Sequence, residues 1–222
     1  MALRRAAIYG GTFDPVHNGH IEVADRVLEL FELDEVIFVP ACVPPHKRGT
    51  GITSAWHRFA MLALATQHDA RLRLSTIELD APERPYAVDT VERMQGEVGS
   101  GLRLFFMIGA DSWAELNTWH EWQTLLKMCD LIVVTRPGYD LSANFPAEIA
   151  KVVDARGMSR QEISELLRAD SGPRVFLSDA AMIDVSATTI RAAARSKSRE
   201  KLSEKVPAEV ASYIDKYNLY RN

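Results

Sequence analysis

The chain has 222 residues, of which 47% are apolar, so it can bury a substantial core without a second domain. Its net charge is −4 at pH 7, which argues against a general surface for nucleic acids or anionic membranes. We therefore expect any anionic ligand to be held by a few local cations and by main-chain dipoles.

Cysteine content and hydropathy indicate the cellular compartment in which the protein is expected. The two cysteines, Cys42 and Cys129, form no closely spaced pair and predict no disulfide framework. The apolar run at 6–9 is too short for the apolar part of a signal peptide, and no run has the length of a membrane span. We expect a protein of the reducing cytoplasm.

Short β-type runs alternate with amphipathic helical patterns along the chain. The predicted strands are 6–9, 36–39, 72–76, 102–108, 131–134 and 175–177. The predicted helices are 19–31, 54–67, 89–95, 121–128, 160–168, 186–195 and 207–217. This alternation predicts βαβ units in an α/β fold with a Rossmann-like, doubly wound and mostly parallel sheet, followed by a small C-terminal helical part.

We predict a single domain over residues 1–222, with the C-terminal helices of about 186–222 packing on it. Capping boxes at Asp89–Glu92 and at Ser159–Glu162 are expected to open two of the helices. Residues 137–158 carry the weakest pattern, and we predict a flexible excursion there.

The chain is organised around residues 8–21. An apolar strand ends there at Gly10 and Gly11 and gives way to a helical pattern. Glycines let main-chain N–H groups approach a ligand, and a helix start presents unpaired N–H groups and partial positive charge. His17 and His20, three residues apart, can project from one face of that helix. This stretch predicts a site for a nucleoside triphosphate.

Alternatives to this prediction remain open at the level of the residues. The sequence has no G-x-x-x-x-G-K-[ST] loop, and no third glycine completes G-x-G-x-x-G, so kinase and dehydrogenase sites lose their main support. Two histidines at this spacing also occur by chance on a surface or in a core. They can share a zinc ion as well, for which Asp14 is the local candidate for a third ligand.

The full string from Gly10 to His20, GGTFDPVHNGH, resembles the nucleotidylyltransferase superfamily, whose signature is H-x-G-H after the first strand. The resemblance implies that this stretch binds ATP, and that His17 and His20 act on the triphosphate and its transition state. The residues so assigned to ATP are Gly10, Gly11, Thr12, Phe13, His17 and His20.

A second element, Val185–Arg191, is an ordinary helix start when taken alone. Ser186 or Thr188 can cap the helix, and Arg191 lies one turn further on, where its guanidinium can meet phosphate oxygens. The element resembles the superfamily's C-terminal I-S-S-T-x-I-R motif, with Ala187 in place of a serine. The resemblance implies that Arg191 is catalytic and binds the β- and γ-phosphates together with Ser186 and Thr188.

Further motifs resemble the nicotinate mononucleotide adenylyltransferase branch of the superfamily. They are Pro44–Lys47, Tyr86–Thr90, Gly109–Ser112 with Trp119, and Thr135–Gly138. The resemblance assigns a phosphate to Lys47, the nicotinate carboxylate to the helix start near Thr90, ribose to Asp111 and the pyridine ring to Trp119. Arg136 reaches a phosphate or borders the site. Trp113 and Trp122 are expected in the core, and His57, His68 and His120 have no assigned role.

The resemblance implies the reaction of ATP with nicotinate mononucleotide to nicotinate adenine dinucleotide and pyrophosphate, in NAD biosynthesis. The mononucleotide's phosphate is itself the nucleophile, so no side-chain nucleophile is expected. Mg²⁺ would be held by substrate and water, without a metal site on the protein. Rival functions are pantetheine-phosphate adenylyl transfer, cytidylyl transfer, nucleotide sensing without catalysis, and metal-dependent hydrolysis. Neither nucleic acid nor membrane is expected as a partner, and the sequence leaves a homo-oligomer open.

Overall fold

The fold is taken from a computed structural model of the chain. It describes residues 3–42, 52–81, 85–99, 101–135, 151–169, 172–180, 186–196 and 199–221. These residues form a seven-stranded sheet in the order β3-β2-β1-β4-β5-β7-β6, in which every pair of neighbours is parallel. The strands are β1 (Arg4–Gly11), β2 (Glu35–Pro40), β3 (Leu72–Leu74), β4 (Leu102–Gly109), β5 (Asp130–Val134), β6 (Lys151–Asp154) and β7 (Arg174–Ser178).

Helices follow most of the strands. They are α1 (Asn18–Leu30), α2 (Ala55–Thr66), α3 (Ala87–Val98), α4 (Ala110–Ala114), α5 (Trp122–Met128), α6 (Arg160–Arg168), α7 (Ala187–Arg195), α8 (Arg199–Ser203) and α9 (Ala208–Lys216), with a 3₁₀ turn at Leu116–Thr118. In the described part of the chain, no helix combines the length and the apolar character that crossing a membrane requires.

The sheet separates two apolar cores. Strand residues alternate between its faces. Phe105 of β4 therefore belongs to the core that α1, α2, α6, α7, α8 and α9 share, whereas its neighbour Phe106 belongs to the core that α3, α4 and α5 share. Leu202 and Ile214 bring the C-terminal helices into the first of these cores. The predicted Rossmann-like α/β architecture is confirmed.

The strand order reverses at β1, because β2 and β3 lie on one side of it and β4 lies on the other. In parallel α/β sheets, ligands bind in the crevice outside the carboxyl ends of the strands at such a point. The segment that follows Gly11 leaves β1 at this crevice.

Some predicted boundaries were wrong. Lys151–Asp154 forms edge strand β6 beside β7, so the end of the predicted excursion is regular structure; residues 137–150 lie outside the described residues. Asp89 does not cap α3, because the cap is Tyr86, whose main-chain N–H donates to the Asp89 carboxylate at 2.7 Å. The capping box at Ser159–Glu162 is confirmed. Besides β6, three short elements were not predicted, namely α4, the 3₁₀ turn and α8.

The two glycines at the end of β1 predict different responses to a methyl group. A Cβ added to Gly11 would lie 2.8 Å from Cζ of Phe13, whereas one added to Gly10 would lie 3.6 Å from Cζ of Phe106, an ordinary contact. Overpacking of this kind costs about 1–3 kcal/mol. We therefore expect Gly11→Ala to lower the free energy of unfolding by that amount in chemical denaturation without ligand. Gly10→Ala is the matched control and should lose less than about 1 kcal/mol. Equal losses would contradict the placement of the Phe13 ring.

Candidate active site

The loop between β1 and α1 is held by a buried arginine. Arg58 of α2 is 1% exposed, and it donates to the main-chain oxygens of Thr12 at 2.6 Å, Ala41 at 2.6 Å and Thr53 at 3.0 Å. These oxygens belong to the first loop, to the end of β2 and to the start of α2. Burial lowers the pKa of Arg58, and the nearby Asp14 carboxylate opposes that effect. The guanidinium therefore fixes the first loop relative to its neighbours.

The two histidines of the loop are stacked. The ring centroids of His17 and His20 lie 3.6 Å apart with an angle of 26° between the planes. The main-chain N–H of His17 donates to Nδ1 of His20 at 3.2 Å. Because Nδ1 of His20 is an acceptor, the neutral ring carries its proton on Nε2. His20 thus has an N–H group with which it can bind an anion.

The surroundings of His20 favour its neutral form. Its ring centroid lies 5.0 Å from that of Phe13 and 6.1 Å from that of Tyr9. Burial, and next the charge of His17, lower the pKa of His20 well below 6.5. At neutral pH it is therefore a hydrogen-bond donor without a charge. A neutral N–H donor suits a phosphate oxygen, and His20 does not have to be protonated to bind one.

The start of α7 lies against the same loop. Ser186 caps the helix and accepts from the N–H of Thr189 at 3.3 Å. Arg191 donates to the main-chain oxygen of Asp14 at 2.8 Å and to the Thr188 hydroxyl at 3.2 Å. A guanidinium has five donors, so these two bonds leave others for a phosphate. The structure places Arg191 against the loop that carries His17.

The carboxylate of Asp14 holds the loop in place through hydrogen bonds to other segments of the protein. It accepts from the Tyr220 hydroxyl at 2.7 Å and from the N–H of Thr53 at 3.4 Å, and the residue is 5% exposed. Across the residues described, no group of three or more His, Cys, Asp or Glu side chains is placed to hold a metal ion. The arrangement gives the zinc alternative with Asp14 no support.

Trp119 stands beside the crevice. It is half-buried, with its ring centroid 6.4 Å from that of Phe106 in an edge-to-face contact, and Phe106 in turn borders Gly10 at the end of β1. Asp111 is exposed in the first turn of α4, which Gly109 caps. Trp113 is buried, and Trp122 is half-buried on the core, as expected.

The start of α3 faces the segment next to Trp119, because the ring centroids of Tyr86 and His120 lie 4.3 Å apart. Thr90 is buried, and its hydroxyl oxygen lies 2.9 Å from a Glu78 carboxylate oxygen and 3.2 Å from the Tyr86 main-chain oxygen, either of which can accept its one proton. Since that hydroxyl is bonded inside the protein, a ligand at this helix start would meet main-chain N–H groups. Lys47 and Arg136 lie outside the described residues.

Sequence reasoning missed two side chains that hold the loop, Arg58 and Tyr220. A usable signal for Arg58 was its position in the buried stripe of α2, three and four residues before Met61 and Leu62. A charged residue in such a stripe must find partners inside the protein. No comparable signal marked Tyr220.

Known proteins resemble the chain over nearly its whole length. The model of a family described as cytidylyltransferase-like matches residues 8–193. A protein of Thermoanaerobacter sp. (strain X514), named probable nicotinate-nucleotide adenylyltransferase, is 35% identical over 98% of this chain and 94% of its own length. A protein of Symbiobacterium thermophilum with the same name is 37% identical over 98% of this chain and 96% of its own length.

Solved structures share the fold. Nicotinic acid mononucleotide adenylyltransferase of Plasmodium falciparum, complexed with NaAD, has a TM-score of 0.71 at 19% identity and covers 98% of this chain and 97% of that one. The same enzyme complexed with APC has a TM-score of 0.70 at 19% identity, with the same coverage. At this identity the likeness concerns the fold alone.

The depressed pKa of His20 predicts how stability depends on pH. An unperturbed histidine titrates near 6.5, and folded His20 titrates well below that value. Below pH 6.5 the unfolded chain therefore binds more protons than the folded chain at this residue, so the free energy of unfolding falls as the pH decreases. We expect the melting temperature to drop less between pH 7.5 and pH 5.5 in His20→Asn than in the wild type, with exposed His68→Asn as the control. Parallel curves for all three proteins would refute the neutral, buried state of His20.

Proposed function

The chain belongs to the cytidylyltransferase-like family and, within it, to the nicotinate-nucleotide adenylyltransferases, and we propose that it joins ATP to nicotinate mononucleotide. The products are nicotinate adenine dinucleotide and pyrophosphate, and the reaction serves NAD biosynthesis in the cytoplasm. The observation that carries the proposal is the bond from Arg191 to the main-chain oxygen of Asp14, because it joins the C-terminal motif to the loop of the stacked histidines.

The site is suited to transfer without a side-chain nucleophile. The phosphate of the mononucleotide attacks the α-phosphorus of ATP, a bond forms between them, and pyrophosphate leaves with the electron pair of the broken bond. His20 Nε2–H binds the triphosphate, with His17 stacked behind it. Arg191 and the first N–H groups of α7 bind the β- and γ-phosphates. These donors are fixed before the reaction and stabilise the charge that develops on the leaving group.

Mg²⁺ fits this site as a companion of the triphosphate. Asp14 is the carboxylate of the loop between β1 and α1, and both of its oxygens already accept hydrogen bonds from the protein. The ion would be held by phosphate oxygens and water, as Mg²⁺ commonly is. It would neutralise part of the triphosphate's negative charge.

The mononucleotide lies on the other side of β1, where β4 ends. Trp119 stacks on the pyridine ring, Asp111 accepts from ribose hydroxyls, and the main-chain N–H groups at the start of α3, near Thr90, bind the nicotinate carboxylate. The exposure of Asp111 and the half-exposed ring of Trp119 support these roles. Lys47 and Arg136 are proposed as phosphate contacts on the strength of their motifs alone.

A pyrophosphate-release assay tests the proposal. We expect release with ATP and nicotinate mononucleotide, slower release with nicotinamide mononucleotide, and none above background with phosphopantetheine. Nicotinate mononucleotide differs from the amide by a carboxylate, which the helix start of α3 attracts. Release with phosphopantetheine and not with either mononucleotide would overturn the assignment.

His20→Ala should lower kcat/KM at least about 30-fold, which corresponds to about 2 kcal/mol, because it removes a donor fixed in place for the transition state. His68→Ala is the matched control, since His68 is exposed and lies next to Glu209 of α9. It should keep the kinetic constants of the wild type. A His20→Ala enzyme with near-normal turnover would remove His20 from the site.

A further inference from the structure

The chain turns back on itself after α9. Asn218 has a left-handed backbone with φ of 52°, and its N–H donates to the Asp215 oxygen at 3.3 Å. The N–H of Leu219 donates to the Ile214 oxygen at 3.0 Å. This pair of bonds is a Schellman motif, which ends the helix and reverses the chain. Tyr220 then follows with φ of 64°, and its side chain points back towards the loop between β1 and α1.

Tyr220 makes a partly buried bond to that loop. Its hydroxyl donates to Asp14 Oδ1 at 2.7 Å across 206 positions of sequence. Burial, and next the Asp14 carboxylate, raise the pKa of the phenol, so the hydroxyl stays protonated and remains a donor. A bond from a neutral donor to a buried carboxylate is among the stronger hydrogen bonds in proteins.

Asp14 joins this bond to the candidate active site. Its carboxylate meets Tyr220, while its main-chain oxygen accepts from Arg191 at 2.8 Å. His17, which stacks on His20, lies three residues further along the loop. A shift of Asp14 would therefore displace the guanidinium and the stacked rings together.

A second contact ties the C-terminal part to the same loop. The N–H of Asn18, the first residue of α1, donates to the main-chain oxygen of Lys205 at 3.0 Å, and its side-chain amide donates to that of Glu204 at 3.2 Å. The segment between α8 and α9 thus satisfies donors at the helix start that follows His17. Residues from the last part of the chain therefore hold the loop at Asp14 and at the start of α1.

We propose that Tyr220 is a positioning residue for the triphosphate site, whose hydroxyl fixes Asp14 and, through it, Arg191 and the histidine loop. Tyr220 touches no reacting atom in this proposal. The kinetic consequence rests on the proposed function, whereas the effect on the loop does not. The C-terminal turn is thereby part of the site's construction as well as of its packing.

The test compares Tyr220→Phe with Tyr213→Phe. Tyr213 is the matched control, because its hydroxyl also makes a polar contact, 2.9 Å from Nδ1 of His57, and that contact is made to α2 and not to the loop between β1 and α1. With ATP and nicotinate mononucleotide, we expect kcat of Tyr220→Phe to fall about tenfold and the KM for the mononucleotide to change less than about twofold. Tyr213→Phe should keep both constants. A kcat for Tyr220→Phe equal to that of Tyr213→Phe would overturn the proposal.

Hydrogen–deuterium exchange gives a readout that needs no activity. Peptides covering residues 10–20 should exchange faster in Tyr220→Phe than in the wild type, whereas Tyr213→Phe should leave them unchanged. Unchanged exchange in Tyr220→Phe would contradict the proposal. If wild-type protein released no pyrophosphate while this difference in exchange persisted, the proposed function would fail and the positioning role would stand.

Tyr220→Phe leaves the buried Asp14 carboxylate without one of its two donors, so a second pair of variants tests the proposal if Tyr220→Phe does not fold. The double variant Asp14→Asn/Tyr220→Phe removes that charge and still lacks the bond. Its loop should exchange faster than that of Asp14→Asn alone. Equal exchange in these two proteins would also overturn the proposal.

Discussion

The candidate site depends on one hydrogen bond, from the guanidinium of Arg191 to the main-chain oxygen of Asp14 at 2.8 Å. It joins residues 177 positions apart and brings the start of α7 to the loop that leaves the central strand. A sheet whose order reverses at β1 opens a crevice at that point. The bond aligns two helix starts that we propose bind phosphate, and neither alone would surround a triphosphate.

The site concentrates donors in a protein whose net charge is −4. Stacking of His17 on His20 would be unfavourable with two charged rings, and burial keeps His20 neutral, so its N–H binds as a dipole. Arg58 donates its hydrogen bonds to main-chain oxygens and rigidifies the loop. In the proposed function, anion binding therefore comes from fixed local groups and does not require a basic surface.

Much of the fold, and the loops that carry the candidate site, could be predicted from the sequence for physical reasons. Alternating strand and helix periods predicted the parallel sheet, and short-range motifs predicted which loops carry the histidines and Arg191. Edge strand β6 was missed because Lys151–Asp154 is short and lacks a buried apolar run. Arg58 and Tyr220 were missed because their bonds connect distant segments and leave no periodic pattern. Lys47 and Arg136 remain predictions.

The most direct test is a crystal structure of the protein with a non-hydrolysable ATP analogue. We expect phosphate oxygens within hydrogen-bond distance of both His20 Nε2 and the Arg191 guanidinium, at the N-terminus of α7. A well-ordered analogue whose triphosphate contacts neither side chain, while the bond between Arg191 and Asp14 stays intact, would contradict this expectation.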